Sequence, residues 1–330
     1  MDRPPIAPVA WRPPPDQGLT GQFAVNNRLE VASRIRIPGN GPEDVVVDAA
    51  GRIVYGLADG RVMTSEPDGS RQELVADTQG RPLGIELHPV GHLIVCDADR
   101  GLLAVGDGEV QVLADGFEGD PFLFTNNAAV ADDGTIYFTV TSRRFPLAHY
   151  RDDLFEHSNT GRLFRRYPDG ALEVLLVGLS FANGVALSSD QQAVFVAETG
   201  EYRIRKYRLS GPDAGTTVVF ADNLPGIPDN LTVGPTGTLW AAMFTPRNRL
   251  LDTLLPRPRL RGWVAKLPES LQPNPVRHGF VIGFDENTAT VTYNLQDPSG
   301  LYAPITTARE HDGRLWLGSL SESAVAAIHL

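Results

Sequence analysis

Four short segments of the chain carry an oxygen-bearing side chain at the same point of one recurring pattern. Glu43 opens EDVVVD (43–48), Asn126 opens NNAAV (126–130), Asn183 opens NGVAL (183–187) and Asp229 opens DNLTV (229–233). Each leads a short apolar run, a turn at or near glycine or aspartate, and a second apolar run: RIVYGL, TIYFTV, AVFVAE and TLWAAM respectively. If the segments are repeats about an axis, the four side chains hold equivalent places and converge at one end of a central channel. Two carboxylates and two amide carbonyls make an oxygen-only donor set, which suits one hard divalent cation. Calcium tolerates irregular geometry and neutral amide ligands, so Ca2+ is the expected ion, with Mg2+ or Mn2+ as alternatives. Zinc would call for His or Cys ligands, and no such cluster is visible. A single Asn in such a place would be read as a strand-end cap bonded to nearby backbone. Four oxygen-bearing residues in one register point to a shared site.

The elements that must position these residues are short strands. The chain has 330 residues, 42% of them hydrophobic and only 21% charged, with 33 Gly and 26 Pro. Many strands joined by tight turns produce that bias. Residues 43–77, 81–115, 124–178, 181–222 and 228–296 each read as four strands punctuated by turns such as Asp-Gly. Residues 301–330 supply only three, and LEVASRIRI (29–37) can supply the fourth. The expected fold is all-β: a six-bladed β-propeller over 29–330, closed by an N-terminal strand in its last blade. Residues 1–28 hold Pro4, Pro5, Pro8, Pro13, Pro14 and Pro15 and are expected to run extended over the surface. Blades three and five carry insertions, near 143–160 and 246–261. The first is expected to act as a lid; the second could be a lid, a partner surface or a loop. Helical periodicity is nearly absent.

The net charge of −11 comes without a basic patch, so nucleic acid is not an expected partner. Cys96 is the only cysteine, which excludes an internal disulfide. No signal-peptide pattern and no apolar run of membrane-spanning length stand out. A cytoplasmic protein with a small-molecule substrate and no membrane partner is expected, in an oligomeric state left open.

Longer motifs carry a family resemblance across almost the whole chain. RPLGIELHP (81–89), GTIYFTVTS (134–142), TGRLFRRYPDG (160–170), LSFANGVALSSD (179–190), LPGIPDNL (224–231) and REHDGRLWLGSL (309–320) resemble the strictosidine synthase-like branch of a propeller superfamily. That superfamily also holds the gluconolactonase/regucalcin group and the paraoxonase-type lactonases. The resemblance implies that Glu43, Asn183 and Asp229 bind metal and that Asp229 doubles as the base. It implies that Asn126 completes the site or touches substrate through water. Departures narrow this. Phe124 stands where the gluconolactonase group has a sugar-acid arginine, and Leu83 where paraoxonase-type enzymes have a histidine. Ile305-Thr306-Thr307 offers no acid where plant strictosidine synthase has its catalytic glutamate.

The expected activity is therefore hydrolysis of an ester or lactone with a hydrophobic or aromatic acyl group. The cation polarises the carbonyl, Asp229 is the general base, and Asn126 shares the catalytic set. Phe122, Phe124, His149, Tyr150 and Tyr302 are the expected substrate contacts. A lyase, isomerase or synthase-like enzyme using the same metal, or a binding propeller with a structural cation, remain alternatives. Trp240 and Trp316, at equivalent second strands, are expected to pack between blades, and Cys96 to be a buried hydrophobe.

Overall fold

The computed structural model describes residues 4–106 and 108–330. The first three residues and Asp107 lie outside them. Six four-stranded antiparallel sheets follow one another along the chain. Their innermost strands are Val45–Val47, Pro82–Leu87, Thr125–Val130, Ala182–Leu187, Gly226–Val233 and Thr307–His311. The sixth sheet borrows its outermost strand from the N-terminal region. Ser33–Arg36 pairs with Ala324–His329 in the register Ser33↔Ala327 to Arg36↔Ala324. The six-bladed propeller with an N-terminal closing strand is what the repeats led us to expect.

Strand residues alternate between faces, and each face here packs on the neighbouring blade. Val46, Val54 and Val62 of blade one meet Ile85, Val95 and Leu103 of blade two. Cys96, fully buried, packs with Phe138 and Phe164 between blades two and three. Trp240 joins Leu315 and Leu317 between blades five and six, and its indole donates to Glu310 at 2.9 Å. Trp316 joins Val45 and Tyr55 between blades six and one. Each such side chain, fully buried, contributes about 1.5–3 kcal/mol.

Three short helices depart from the strand-only reading. Helix α1 (Tyr150–Glu156) fills the blade-three insertion; α2 (Arg249–Leu254) and α3 (Pro258–Val264) fill that of blade five. At six or seven residues they are too short to show a helical period, but their ends carry ordinary signals. Asn248 caps α2 by accepting from the amides of Leu250 and Leu251 at 2.9 and 3.1 Å. Pro258 opens α3 at its first turn. The Pro-rich segment straps these helices together. Val9 donates to the Glu156 carbonyl at 2.8 Å and Trp11 to that of Leu255 at 3.2 Å. The fully buried Arg261 donates to the carbonyls of Val9 and Leu255. Trp11 stacks on His157 at 4.7 Å. Among the described residues no helix is long and apolar enough to cross a membrane.

Candidate functional site

One residue from the inner edge of every blade reaches a common pocket: Glu43, Leu83, Asn126, Asn183, Asp229 and Thr306, in blade order. The four polar members that head the repeats thus meet, although Glu43 and Asp229 are 186 positions apart in the chain. All four are buried.

Local backbone geometry aims them. Pairing of the first two strands is interrupted between Pro82 and Ile85, Thr125 and Ala128, Ala182 and Val185, and Pro228 and Leu231. The interruptions fall on Leu83-Gly84, Asn126-Asn127, Asn183-Gly184 and Asp229-Asn230. A bulge releases residues from the ladder and redirects them, and here it turns Leu83, Asn126, Asn183 and Asp229 toward the axis, while Glu43 and Thr306 stand just ahead of the strands Val45–Val47 and Thr307–His311.

Where the second residue of such a pair carries a side chain, it ties neighbouring blades together, as Asp44 does after Glu43. Asp44 accepts from the Ile85 amide at 3.0 Å, reaching past Gly84. Asn127 accepts from the Val185 amide at 3.0 Å, reaching past Gly184. Asn230 donates to Thr307 and to Glu43, both at 2.8 Å. The glycines permit this closeness. A Cβ on Gly84 would stand 2.7 Å from the Cα of Asn127, and one on Gly184 2.3 Å from the Leu231 nitrogen. The alternation of side chain and glycine (Asp44, Gly84, Asn127, Gly184, Asn230) is visible in the sequence, but its meaning needs the ring.

Hydrogen bonding fixes which oxygens face inward. The Thr141 hydroxyl donates to the Ala182 carbonyl at 2.8 Å, so it can only accept from the Asn126 amide nitrogen, at 2.9 Å. That orients Asn126 Oδ1 away from Thr141. Glu43 Oε1 accepts from Asn230, leaving Oε2. Glu43 Oε2, Asn126 Oδ1 and Asn183 Oδ1 are all buried acceptors with no hydrogen-bond donor. An unpartnered buried polar group costs about 1–3 kcal/mol, more when charged. Three in one pocket is a destabilising arrangement that a cation would relieve. Among the described residues no cluster of three His, Cys, Asp or Glu forms a metal group; half of this donor set is amide oxygen.

The electrostatics agree with the hydrogen bonding. Burial, then the charges of Asp229 and Asp44, hold the Glu43 carboxyl well above its ordinary pKa, against Arg81 and the Asn230 hydrogen bond. Burial pushes Asp229 up to about 7, opposed by a hydrogen bond from Asn183. Arg309 crosses near the inner strands of blades one and two, 2.6 Å from Glu86 and 3.8 Å from Asp44, and donates to the Val45 carbonyl at 3.0 Å.

The pocket walls are apolar. Phe124, Phe181, Phe155, Phe244 and Leu83 line them, with Tyr150 and Leu154 from α1 and Leu251 from α2. Of the five expected substrate contacts, Phe124 and Tyr150 stand on this wall. The other three lie elsewhere. Phe122 is packed between blades two and three, 5.0 Å from Phe164 and 5.7 Å from Phe138. Tyr302 is buried between blades five and six, its hydroxyl donating to the Leu317 and Ala324 carbonyls. His149 sits before α1 with Nδ1 3.6 Å from Asp152, turned to its own helix. Sequence reading missed Phe155, Phe181 and Phe244. Phe181 directly precedes the Ala182–Leu187 strand, the place Phe124 holds before Thr125, so it was the most findable of the three.

Residues 57–251 match the family described as SMP-30/Gluconolactonase/LRE-like region, and residues 21–64 match the strictosidine synthase-like N-terminal family. Strictosidine synthase-like protein 10 of Arabidopsis thaliana is 36% identical over 85% of this chain and 83% of its own length. The adipocyte plasma membrane-associated protein of Gallus gallus is 34% identical over 98% of this chain and 83% of its own length. A solved gluconolactonase from Xanthomonas campestris superposes with a TM-score of 0.66 at 19% identity, covering 92% of this chain and 91% of that one. At that identity the likeness is one of fold.

Proposed function

The chain belongs to the SMP-30/gluconolactonase/LRE-like family, with a strictosidine synthase-like N-terminal region, and on that premise we propose that it is a divalent-cation-dependent hydrolase of apolar esters or lactones. The observation that carries this reading is the set of three donorless buried oxygens from three blades, beside Asp229, on the floor of an apolar pocket. Glu43, Asn126, Asn183 and Asp229 would hold the ion, and an all-oxygen set with two neutral amides favours Ca2+. The cation supplies a Lewis acid for the carbonyl and for water.

The remaining work belongs to side chains. Asp229 accepts the proton of the attacking water at its carboxylate and returns it to the leaving alkoxide. Asn126, with its amide nitrogen held by Thr141, keeps its oxygen toward the reacting centre. Phe124, Phe181 and Phe244 seat an apolar acyl group and exclude bulk water. Among the described residues no arginine or lysine of the inner strands lines the pocket; Arg151, on the α1 side, is engaged by Asn274 and the Pro273 carbonyl. An uncharged substrate follows, and a sugar acid does not. Leu83 and Thr306 fill the two places left without an acid or imidazole.

A panel of apolar lactones and aryl esters tests the reading. Turnover that chelator abolishes and Ca2+ restores is the expected result. Ca2+ binding without turnover of any member would leave a binding propeller instead.

A pH effect follows from the raised carboxyls. Because Asp229 titrates higher in the fold than in the open chain, the contribution of this one carboxyl to the metal-free protein is fully present only below the ordinary carboxylate range. That contribution is lost as pH rises toward about 7, where Asp229 ionises beside Glu43. Ca2+ at a hundred times its Kd adds about 2.7 kcal/mol. Melting curves at acid and neutral pH should show Ca2+ raising Tm at neutral pH and hardly at acid pH. Equal gains at both would remove the carboxylates from the site.

A further inference from the structure

The outer side of the blade-five insertion differs from the rest of the surface. Leu250 on α2, Leu260 and Trp263 on α3, and Leu271 and Val276 after it are 45–65% exposed. Trp263 is the only aromatic among the strongly exposed hydrophobic side chains of the described residues. The same stretch is basic, which corrects the expectation of a chain without a basic patch. Residues 249–266 contain Arg249, Arg257, Arg259, Arg261 and Lys266 against Asp252 alone, in a chain of net charge −11. Arg261 is buried in the strap contacts, but Arg249, Arg257, Arg259 and Lys266 are exposed. Among the described residues none of these four pairs with an acid. Arg259 and Trp263 on α3, and Lys266 just past its end, border one shallow groove. A tryptophan and leucines between guanidinium and ammonium groups is the pattern that lies in a lipid interface.

We propose that this face docks the protein on an anionic phospholipid surface. Charge selects the occupant: a local cluster of four exposed cations on an otherwise acidic chain is attracted to acidic headgroups, while the remainder is repelled. Docking in this pose fixes orientation. The same insertion gives Leu251, Pro273 and Asn274 to the pocket wall, so the apolar pocket is held next to the phase in which apolar molecules dissolve. The expectation of no membrane partner rested on the lack of a spanning segment, and interfacial docking needs none. The inference stands apart from the hydrolase reading, because binding is measured without turnover.

Co-sedimentation of the full chain with vesicles of phosphatidylcholine, with and without phosphatidylserine, tests it. Binding to the phosphatidylserine vesicles, weakened by salt and accompanied by a blue shift of tryptophan emission, is expected. Arg259→Glu/Lys266→Glu should weaken binding at least about thirtyfold. Trp263→Ala should weaken it about tenfold and remove the emission shift. All three changes are at exposed positions, so circular dichroism and Tm should match the parent. No binding, equal binding to neutral vesicles, or binding that survives both variants overturns the proposal. Self-association without vesicles that Trp263→Ala abolishes would assign the face to a second copy, and overturns it too.

Discussion

Asp229→Asn is expected to lower turnover of an apolar lactone about a hundred- to ten-thousandfold, the range a positioned base contributes, while the protein remains folded. The substitution keeps the size and one oxygen of the side chain but removes the carboxylate that would take the water proton. Folding should not suffer, because the native carboxyl is held in a place that disfavours its charge. Burial, with the charge of Asp44 and against a hydrogen bond from Asn183, pushes it up to about 7. In metal-free protein the amide should therefore be neutral or stabilising at neutral pH. The two readouts must move in opposite directions: activity falls, and the chelator-treated Tm holds or rises. Near-parental rates would take Asp229 out of the chemistry. A large fall in Tm would mean that the carboxylate is structural.

Gly184→Ala should have the largest effect on stability. A methyl group there would lie 2.3 Å from the Leu231 nitrogen and 2.5 Å from the Asn230 Cα, both backbone atoms of the next blade. No rotamer relieves a clash with backbone, so blades four and five must separate. Overpacking of this kind costs about 1–3 kcal/mol or more. The damage also reaches the site, because Asn230 orients Glu43 and neighbours Asp229. Loss of Ca2+ binding is expected together with a lower Tm. Gly51→Ala is the matched comparison. Its backbone φ is +80° with open space around the added carbon, so it should cost only about 1 kcal/mol of local strain and leave Ca2+ binding alone. Similar losses in both variants would contradict the close-approach argument.

The parts of this architecture that were legible in the sequence are those that repeat. Glu43, Asn126, Asn183 and Asp229 each break an apolar run at one register, and a ring converts equal register into proximity. Ser33–Arg36 could be assigned to the last blade because residues 301–330 are one strand short. The two insertions were harder to read. Helices α1, α2 and α3 are stabilised by contacts with the strap rather than by a repeating apolar face. The carbonyls that order Arg261 come from residues as distant as Val9 and Glu156. Phe122 and Phe124 illustrate the same limit. Both lie ahead of the Thr125–Val130 strand, where alternation does not yet govern direction, and one enters the interblade core while the other reaches the pocket. The bulges at Asn126-Asn127 and its counterparts have no signature within a single blade; they emerge when the blades are aligned and glycine is seen to alternate with Asp or Asn.

Anomalous diffraction from crystals grown with Ca2+, or with Mn2+ as a stronger scatterer, tests the central claim most directly. One peak is predicted at about 2.3–2.6 Å for Ca2+ from Glu43 Oε2, Asn126 Oδ1, Asn183 Oδ1 and the Asp229 carboxylate, with its remaining positions open to the apolar pocket. A peak elsewhere on the chain, or saturating cation with these four side chains bonded only to protein, would contradict it.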